Sequence, residues 1–175
     1  MRHLLLEGLL RRPVTEPLDR SDDAELADLA AKLDRAAQRR LGRSLSIRVV
    51  DAGSCNGCEL ELNALGNPYY DMERFGLRFV ASPRHADVLL VTGPVTKNMR
   101  EALERTWQAM PSPRWLVAAG DCAIDGGCFA GSYAVEGGVA QVIPADLVIP
   151  GCPPTPHALL AALVGLMRPP ATADR

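Results

Sequence analysis

The chain has 175 residues, a formal net charge of −2 and an isoelectric point near 5.9. This length suits one domain with its own core plus a short arm, and the charge gives no reason to expect nucleic acid as a partner. No run of about 18 apolar residues occurs, and the five cysteines come without a signal-peptide pattern, so we expect neither a membrane span nor a disulfide framework but reduced thiols.

Residues 1–45 are predicted to form an N-terminal helical arm. An apolar stretch with basic ends runs from Met1 to Arg12, and a link that contains prolines follows it. Ser21 to Glu25 has the pattern of a helix cap with an acidic first turn, and a helix is predicted from there to about Arg40. The arm either packs on its own domain or docks on a partner subunit or a membrane surface, and the sequence leaves both interpretations open.

From residue 46 onward, strand and helix patterns alternate. Strands are predicted at 46–50, 77–81, 87–92, 115–119 and 147–149, and helices at 59–65, 69–75, 96–110 and 155–167. The segment 120–138 is predicted to be a glycine-rich loop. Buried apolar strands that alternate with helices indicate an α/β fold, a parallel sheet with helices on both faces. This domain is predicted to span residues 46–168, and a short tail covers 169–175.

Four cysteines come directly after three of the predicted strands. Cys55 and Cys58 follow the first strand, Cys122 follows the fourth and Cys152 follows the fifth. Because functional sites of open parallel sheets lie outside the carboxyl ends of the strands, the four thiols are expected at one rim of the sheet. Thiolates gathered in this way are typical ligands of a metal centre.

Two kinds of metal centre fit four thiolates. Structural zinc sites usually pair two short Cys-x-x-Cys motifs, and only one such motif is present here. An iron–sulfur cluster of the [4Fe–4S] type tolerates ligands from scattered loops, and the prolines beside Cys152 would stiffen its loop. The residues therefore favour the cluster and leave zinc and uncomplexed redox thiols open. Cys128 is interpreted as a small, buried apolar residue.

Four ordered motifs carry a resemblance to a known family. They are GSCNGCELE at 53–61, SPRHAD at 82–87, TGPVT at 92–96 and IPGCPPTP at 149–156. Together they resemble the cluster-bearing small subunit of membrane-bound, formate-hydrogenlyase-type group 4 [NiFe] hydrogenases. That family is homologous to the 20 kDa subunit of NADH:quinone oxidoreductase. Over residues 46–167 the resemblance implies a flavodoxin-like domain and one [4Fe–4S] cluster, with Cys55, Cys58, Cys122 and Cys152 as its ligands.

The first motif separates the two branches of this family. The quinone oxidoreductase subunit typically has two adjacent cysteines there, whereas this chain has Cys55-Asn-Gly-Cys58, the spacing of the hydrogenase branch. Two features depart from the pattern. Cys128 stands at a position that the family does not need for ligation, and the extended C-terminal tail of some formate-hydrogenlyase subunits is absent. These departures leave room for a related, hydrogenase-like assembly.

The resemblance implies an electron-transfer subunit without a catalytic residue of its own. Its expected partners are a hydrogenase large subunit that holds the nickel–iron site, a ferredoxin-like iron–sulfur subunit and membrane-arm subunits. Its expected location is peripheral, on the cytoplasmic side of the membrane. The alternative function is the quinone-reducing subunit of an NADH:quinone oxidoreductase, and a third is a zinc-stabilised binding module without redox activity.

Backbone amides and charged side chains near the cysteines are expected to influence such a cluster. The amides around Gly57, Gly120 and Gly151 are predicted hydrogen-bond donors to its sulfur atoms. Arg84 and His85 either favour the reduced cluster by their charge, if they lie near it, or form a solvated loop.

The acidic residues beside the first cysteine pair have two interpretations. Glu59 and Glu61 either form a proton route toward the partner's site or lie solvated on a helix surface.

Overall fold

The structure is a computed structural model that describes residues 21–167. The predicted apolar stretch before residue 13 and the predicted tail lie outside these residues. The elements in chain order are α1 (Ser21–Leu41), β1 (Leu45–Asp51), α2 (Gly57–Ala64), β2 (Leu77–Phe79), β3 (Val88–Thr92), β4 (Val95–Thr96), α3 (Lys97–Gln108), β5 (Trp115–Ala119), α4 (Asp121–Asp125), β6 (Val135–Gly137), β7 (Leu147–Ile149) and α5 (Pro156–Met167).

Five parallel strands form the central sheet in the order β2-β1-β3-β5-β7. Counted among themselves, these strands have the order 2-1-3-4-5, which is the flavodoxin-like arrangement. The predicted α/β fold class is therefore confirmed. Strands β4 and β6 pair separately, as a short antiparallel ribbon.

Helices cover both faces of the sheet because the side chains of its strands alternate between the two sides. On one face, α1, α2 and α5 bury Leu33, Leu62 and Leu159 against residues such as Ile47 and Leu90. On the other face, residues of α3, α4 and the turn at 139–141 pack against a second set of strand side chains, namely Val50, Leu89, Val91, Leu116 and Ala118. Among residues 21–167, no helix is both long enough and apolar enough to cross a lipid bilayer.

Helix α1 packs on the domain that follows it. Leu26, Ala30, Leu33 and Ala37 are buried at spacings of four, three and four, so they line one stripe of the helix. Near its carboxyl end, Arg40 donates a hydrogen bond of 2.7 Å to the carbonyl of Leu166 and stacks over the ring of Trp115. Of the two interpretations of the arm, packing on its own domain is therefore right for this helix.

The amino end of the sheet is fixed by a buried carboxylate. Asp87 is only 2% exposed, and Arg43 binds both of its oxygens at 2.8 and 2.6 Å. The backbone amide of Ser46 donates to the same carboxylate at 3.0 Å. These bonds join the start of β1 to the start of β3.

Three predicted elements differ from the observed ones. Strand β2 ends at Phe79 instead of 81, because the amide of Val80 makes a last bond to the carbonyl of Ile47 and the chain then leaves the sheet. The helix predicted at 69–75 is only a single 3-10 turn, Met72–Phe75. The predicted loop at 120–138 contains α4 and β6, whose five and three residues are too short to give a periodic apolar pattern.

Candidate metal centre

The four predicted ligands follow strands whose carboxyl ends meet at one rim. Cys55 and Cys58 follow β1, Cys122 lies in α4 directly after β5, and Cys152 follows β7. Cys122 is buried and Cys58 is partly buried, whereas Cys55 and Cys152 are exposed. The thiols thus extend from the end of the core to the surface.

The first loop is shaped by side chains that bind its own backbone. Asp51 accepts hydrogen bonds from the amides of Gly53 and Ser54, at 2.8 and 2.7 Å. The hydroxyl of Ser54 accepts the amide of Asn56 at 3.1 Å, and Asn56 adopts the left-handed conformation at φ 71° where α2 begins. This turn places Cys55 just outside the helix and Cys58 in its first turn.

Asp121 connects the loops of the other two ligands. Its amide donates to the carbonyl of Gly151 at 3.0 Å, and its carboxylate accepts the amide of Gly151 at 2.8 Å. Cys122 and Cys152, adjacent in sequence to these two residues, are thereby held in a fixed relation. Sequence reasoning missed Asp121, and its only signal is an acidic residue directly before a ligand.

Two glycines leave space for the sulfur atoms. A Cβ added to Gly120, whose φ is +92°, would lie 2.6 Å from Sγ of Cys58. A Cβ added to Gly127, whose φ is +49°, would lie 2.7 Å from Sγ of Cys122. A side chain at either position would collide with the sulfur atom of a predicted ligand, so both glycines keep the space beside these thiols open.

The thiols interact electrostatically with one another. Burial, and after it the negative charge of Glu59 and the thiols of Cys55, Cys122 and Cys152, together raise the pKa of Cys58 to about 11. The other three predicted ligands therefore all lie within electrostatic range of Cys58. Because a metal binds the thiolate form, loading this site must remove a proton that burial holds on Cys58.

Cys128 lies next to Cys122. Burial raises the pKa of the Cys122 thiol, and the Cys128 thiol raises it further, while the backbone amide of Cys128 donates a hydrogen bond that lowers it. Cys128 itself is exposed, so its interpretation as a buried apolar residue is wrong. The turn Gly127–Phe129 brings it back toward the ligand helix, which the sequence pattern did not indicate.

The amides of Gly120 and Gly151 do not have the role predicted for them, and of the two interpretations of Arg84 and His85 the solvated loop is right. The amide of Gly120 donates to the carbonyl of Ile149 at 2.8 Å and that of Gly151 donates to Asp121, so neither is available to a sulfur atom. Arg84 and His85 lie in a 3-10 turn that precedes β3, at the opposite end of that strand from the cysteines. They form an exposed loop away from the candidate site.

The two acidic residues of the first motif have different surroundings. Both carboxylate oxygens of Glu59 are buried without a hydrogen-bond partner among the described residues. Glu59 also acts on the Cys58 thiol by its charge. Glu61 is half-buried on the same short helix.

The arrangement of the four cysteines can be compared with what each kind of metal centre requires. Within residues 21–167, no group of three or more His, Cys, Asp or Glu side chains is compact enough to hold a single metal ion. A tetrahedral zinc site would require such a group, with sulfur about 2.3 Å from one ion. A four-iron cluster binds each thiolate through a different iron, so four separated thiols and glycine-lined space around them suit it better.

Exposed apolar side chains lie beside the cysteine segments. Leu60 is 61% exposed two residues after Cys58, Phe129 directly follows Cys128, and Tyr133 is 90% exposed in the segment before β6. Large apolar side chains on a soluble surface often mark a contact with another protein. The sequence motifs did not indicate this exposed group, although an apolar residue close behind a Cys-x-x-Cys pair, as Leu60 is behind Cys58, is a signal present in the sequence.

The chain is similar in sequence to subunits of known hydrogenase complexes. Formate hydrogenlyase subunit 7 of Escherichia coli is 44% identical over 154 residues, which cover 86% of this chain and 59% of that protein. The probable membrane-bound hydrogenase subunit mbhJ of Pyrococcus furiosus is 44% identical over 124 residues, 71% of this chain and 74% of that protein. The chain thus spans about three fifths of the length of the first relative.

A solved structure and a family pattern agree with these relatives. A chain of the membrane-bound sulfane sulfur reductase, an archaeal respiratory membrane complex, matches with a TM-score of 0.64 and 33% identity, over 78% of this chain and 73% of that one. The sequence pattern of the NADH ubiquinone oxidoreductase 20 kDa subunit matches residues 55–166, which contain all four predicted ligands. The resemblance seen in the motifs is confirmed, and the chain belongs to the NADH ubiquinone oxidoreductase 20 kDa subunit family.

Proposed function

We propose that this chain is the electron-transfer subunit of a membrane-associated [NiFe] hydrogenase complex and carries one [4Fe–4S] cluster on Cys55, Cys58, Cys122 and Cys152. The observation that carries the proposal is the meeting of these four thiols at one rim, where each acts electrostatically on Cys58. When bound, such a cluster accepts and releases one electron at a time. The family membership and the hydrogenase relatives support this assignment over other uses of four thiols.

The protein's own residues have three tasks in this function. Gly120 and Gly127 keep the space beside the sulfur atoms free of side chains. Asp121 holds the two loops of Cys122 and Cys152 together. The burial of Cys58 raises the pKa of its thiol, so Cys58 is expected to stay protonated at neutral pH until metal binds.

The exposed ligands and apolar side chains of this rim support a contact with the large subunit. Cys55 and Cys152 are exposed, and the exposed side chains Leu60 and Tyr133 lie in segments that follow Cys58 and Cys128 in the chain. An interface there would exclude water from the cluster and place it close to the partner's redox site. The ferredoxin-like and membrane-arm subunits would complete a complex peripheral to the cytoplasmic side of the membrane.

Glu59 is the better candidate of the two acidic residues for a proton route toward the partner. Its carboxylate is buried and unpartnered, whereas Glu61 shows no such feature. In the complex, Glu59→Gln should lower turnover while the iron content stays unchanged, because glutamine keeps the shape and cannot carry the proton. Equal turnover of Glu59→Gln and the wild type would remove Glu59 from the route.

The cluster is tested on the chain purified with its partner without oxygen. Dithionite reduction should give the electron paramagnetic resonance signal of one [4Fe–4S]⁺ centre, with about four irons per chain by metal analysis. Protein that carries zinc and no iron would contradict the proposal. It would support the zinc-stabilised module instead.

Two cysteine substitutions identify the ligands. Cys152→Ser should abolish or transform the signal, because it removes a thiolate that binds iron. Cys128→Ser is the matched control, since it changes a neighbouring exposed cysteine and retains the backbone amide beside Cys122. A loss of signal in Cys128→Ser with a normal signal in Cys152→Ser would reassign the fourth ligand.

The second candidate is the quinone-reducing subunit of an NADH:quinone oxidoreductase. The family pattern that matches residues 55–166 favours it, since it describes the subunit of that enzyme. The large subunit distinguishes the two functions: a pair of Cys-x-x-Cys motifs there indicates a nickel–iron site, and their absence indicates the quinone branch. Hydrogen oxidation and quinone reduction by the purified complex provide the matching assay.

A further inference from the structure

The outer edge of β1 is open along half of its length. Strand β2 pairs with β1 only from Leu45 to Ile47, whereas β3 pairs with it on the other side as far as Asp51. The last bond on the outer side runs from the amide of Val80 to the carbonyl of Ile47. Leu45 and Ile47 make the backbone bonds of β1 on the β2 side. Because alternate residues of a strand face the same neighbouring strand, the amides and carbonyls of Val49 and Asp51 also point to that side, where no strand follows.

A cavity of about 400 Å³ lies along this open edge. Its walls are residues 47–49 of β1, Phe79 at the end of β2 with the two residues that follow it, and Glu59, Leu62 and Asn63 of α2. Residues 47, 48 and 49 send their side chains alternately to opposite faces of the sheet, yet all three border the cavity. The cavity therefore occupies the plane of the sheet, in the position that a longer β2 would fill.

Two of the residues that line this cavity, Glu59 and Arg48, have buried polar atoms without partners within residues 21–167. Both carboxylate oxygens of Glu59 are buried and unpartnered among the described residues, and so is Nε of Arg48. Val49 and Ile47 belong to the face that carries α2, so Arg48 reaches the cavity from the opposite face. Because buried polar groups are normally hydrogen-bonded, the carboxylate of Glu59 lacks a donor and Nε of Arg48 lacks an acceptor.

We propose that an extended segment of a partner subunit adds to the sheet beside β1 and fills this cavity. Its backbone would pair with the outward amides and carbonyls of Val49 and Asp51, as in other cases of strand addition. Its side chains would alternate, with a basic or amide group facing Glu59 and an acceptor facing Arg48. This inference rests on the proposed function in one respect: the added segment is assumed to belong to another subunit of the same complex.

Hydrogen exchange of backbone amides tests this strand addition. The full chain alone and the purified complex are exchanged in parallel, and peptides that cover residues 45–52 are compared by mass spectrometry. The outward amides of Val49 and Asp51 should exchange fast in the isolated chain and about tenfold or more slowly in the complex. Fast exchange in both states would overturn the proposal and leave the cavity filled by water alone.

Other occupants give different results in the same experiment. Slow exchange in the isolated chain that becomes fast when residues 1–20 are deleted would show that the chain covers its own edge. Slow exchange that depends on protein concentration, together with a dimer by light scattering, would show pairing between two copies. Either result overturns a partner segment.

A bulky substitution provides an independent test. Ala81→Trp should fill the cavity and weaken assembly with the partner about tenfold, whereas Ala161→Trp, the same change at an exposed alanine of α5, should leave assembly unchanged. Equal assembly of both variants would contradict the proposal. Iron content and the cluster signal of Ala81→Trp should match the wild type, so a failure of strand addition is distinguishable from a failure of the proposed cluster.

Discussion

Gly120 lies between β5 and α4, and its missing side chain leaves the space beside Sγ of Cys58. The positions of the cysteines could be predicted from the sequence because they follow strands. The glycines that leave space beside their sulfur atoms could not. Glycine beside a ligand indicates close approach in general. Only the backbone conformation, with φ at +92°, shows which sulfur atom the glycine accommodates.

Gly120→Ala should therefore lose the cluster. The added Cβ would stand 2.6 Å from Sγ of Cys58, so the ligand must move or the loop must deform. Gly165→Ala is the matched control, because nothing lies within 4 Å of a Cβ there. We expect little iron in the first variant, and full iron with a gain of up to about 1 kcal/mol in helix stability in the second. Circular dichroism checks that Gly120→Ala is folded, and equal iron contents would contradict the prediction.

At the scale of elements, α1 belongs to the fold although its pattern equally permits a docking arm. Its apolar spacing predicted the helix and its buried stripe. An amphipathic face alone, however, does not show whether it packs on its own domain or on another molecule. The structure assigns that face to the core formed with α5 and the sheet. Elements shorter than about two turns, such as α4, and the early end of β2 were not predictable, because tertiary hydrogen bonds set them.

Leu33→Ala tests the contribution of α1 to the domain. Leu33 is fully buried, so its truncation should lower the free energy of unfolding by about 2–5 kcal/mol. Leu60→Ala is the same change at a leucine that is 61% exposed, and it should cost less than about 0.5 kcal/mol. Urea unfolding of the isolated full chain measures both. If Leu33→Ala lowers the free energy of unfolding as little as Leu60→Ala does, the packing of α1 does not stabilise the domain.

At the scale of the whole molecule, the strand order brings residues that are far apart in sequence to one rim. The sequence between Cys58 and Cys122 includes three strands of the central sheet, β2, β3 and β5, and the helix α3, yet both residues lie at the carboxyl ends of strands in that sheet. The same strand order leaves β1 partly unpaired, because β2 is shorter than β3. The candidate cluster site and the proposed docking edge thus share α2 as a common wall.

The burial of Cys58 beside Glu59 and the other thiols also makes the stability of the metal-free chain depend on pH. The folded state raises the pKa of Cys58 from 9.0 to about 11, so between these values the folded chain holds a proton that the unfolded chain has lost. Stability is then full below about pH 9 and falls as the pH rises toward 11. Thermal unfolding from pH 8 to 11 should show a smaller decline for Cys58→Ser than for the metal-free wild type. Identical declines would show that this thiol does not contribute.

The sequence by itself determined the fold class, the position of the four cysteines after strands and the family, because strand patterns and short motifs are local properties. It could not determine that Cys128 returns to Cys122, that Arg84 and His85 lie at the far end of β3, or that Asp121 joins two ligand loops. It also gave no sign of the open edge of β1. Those features depend on which segments meet in space, and that is decided by the register of the sheet and by hydrogen bonds between distant residues.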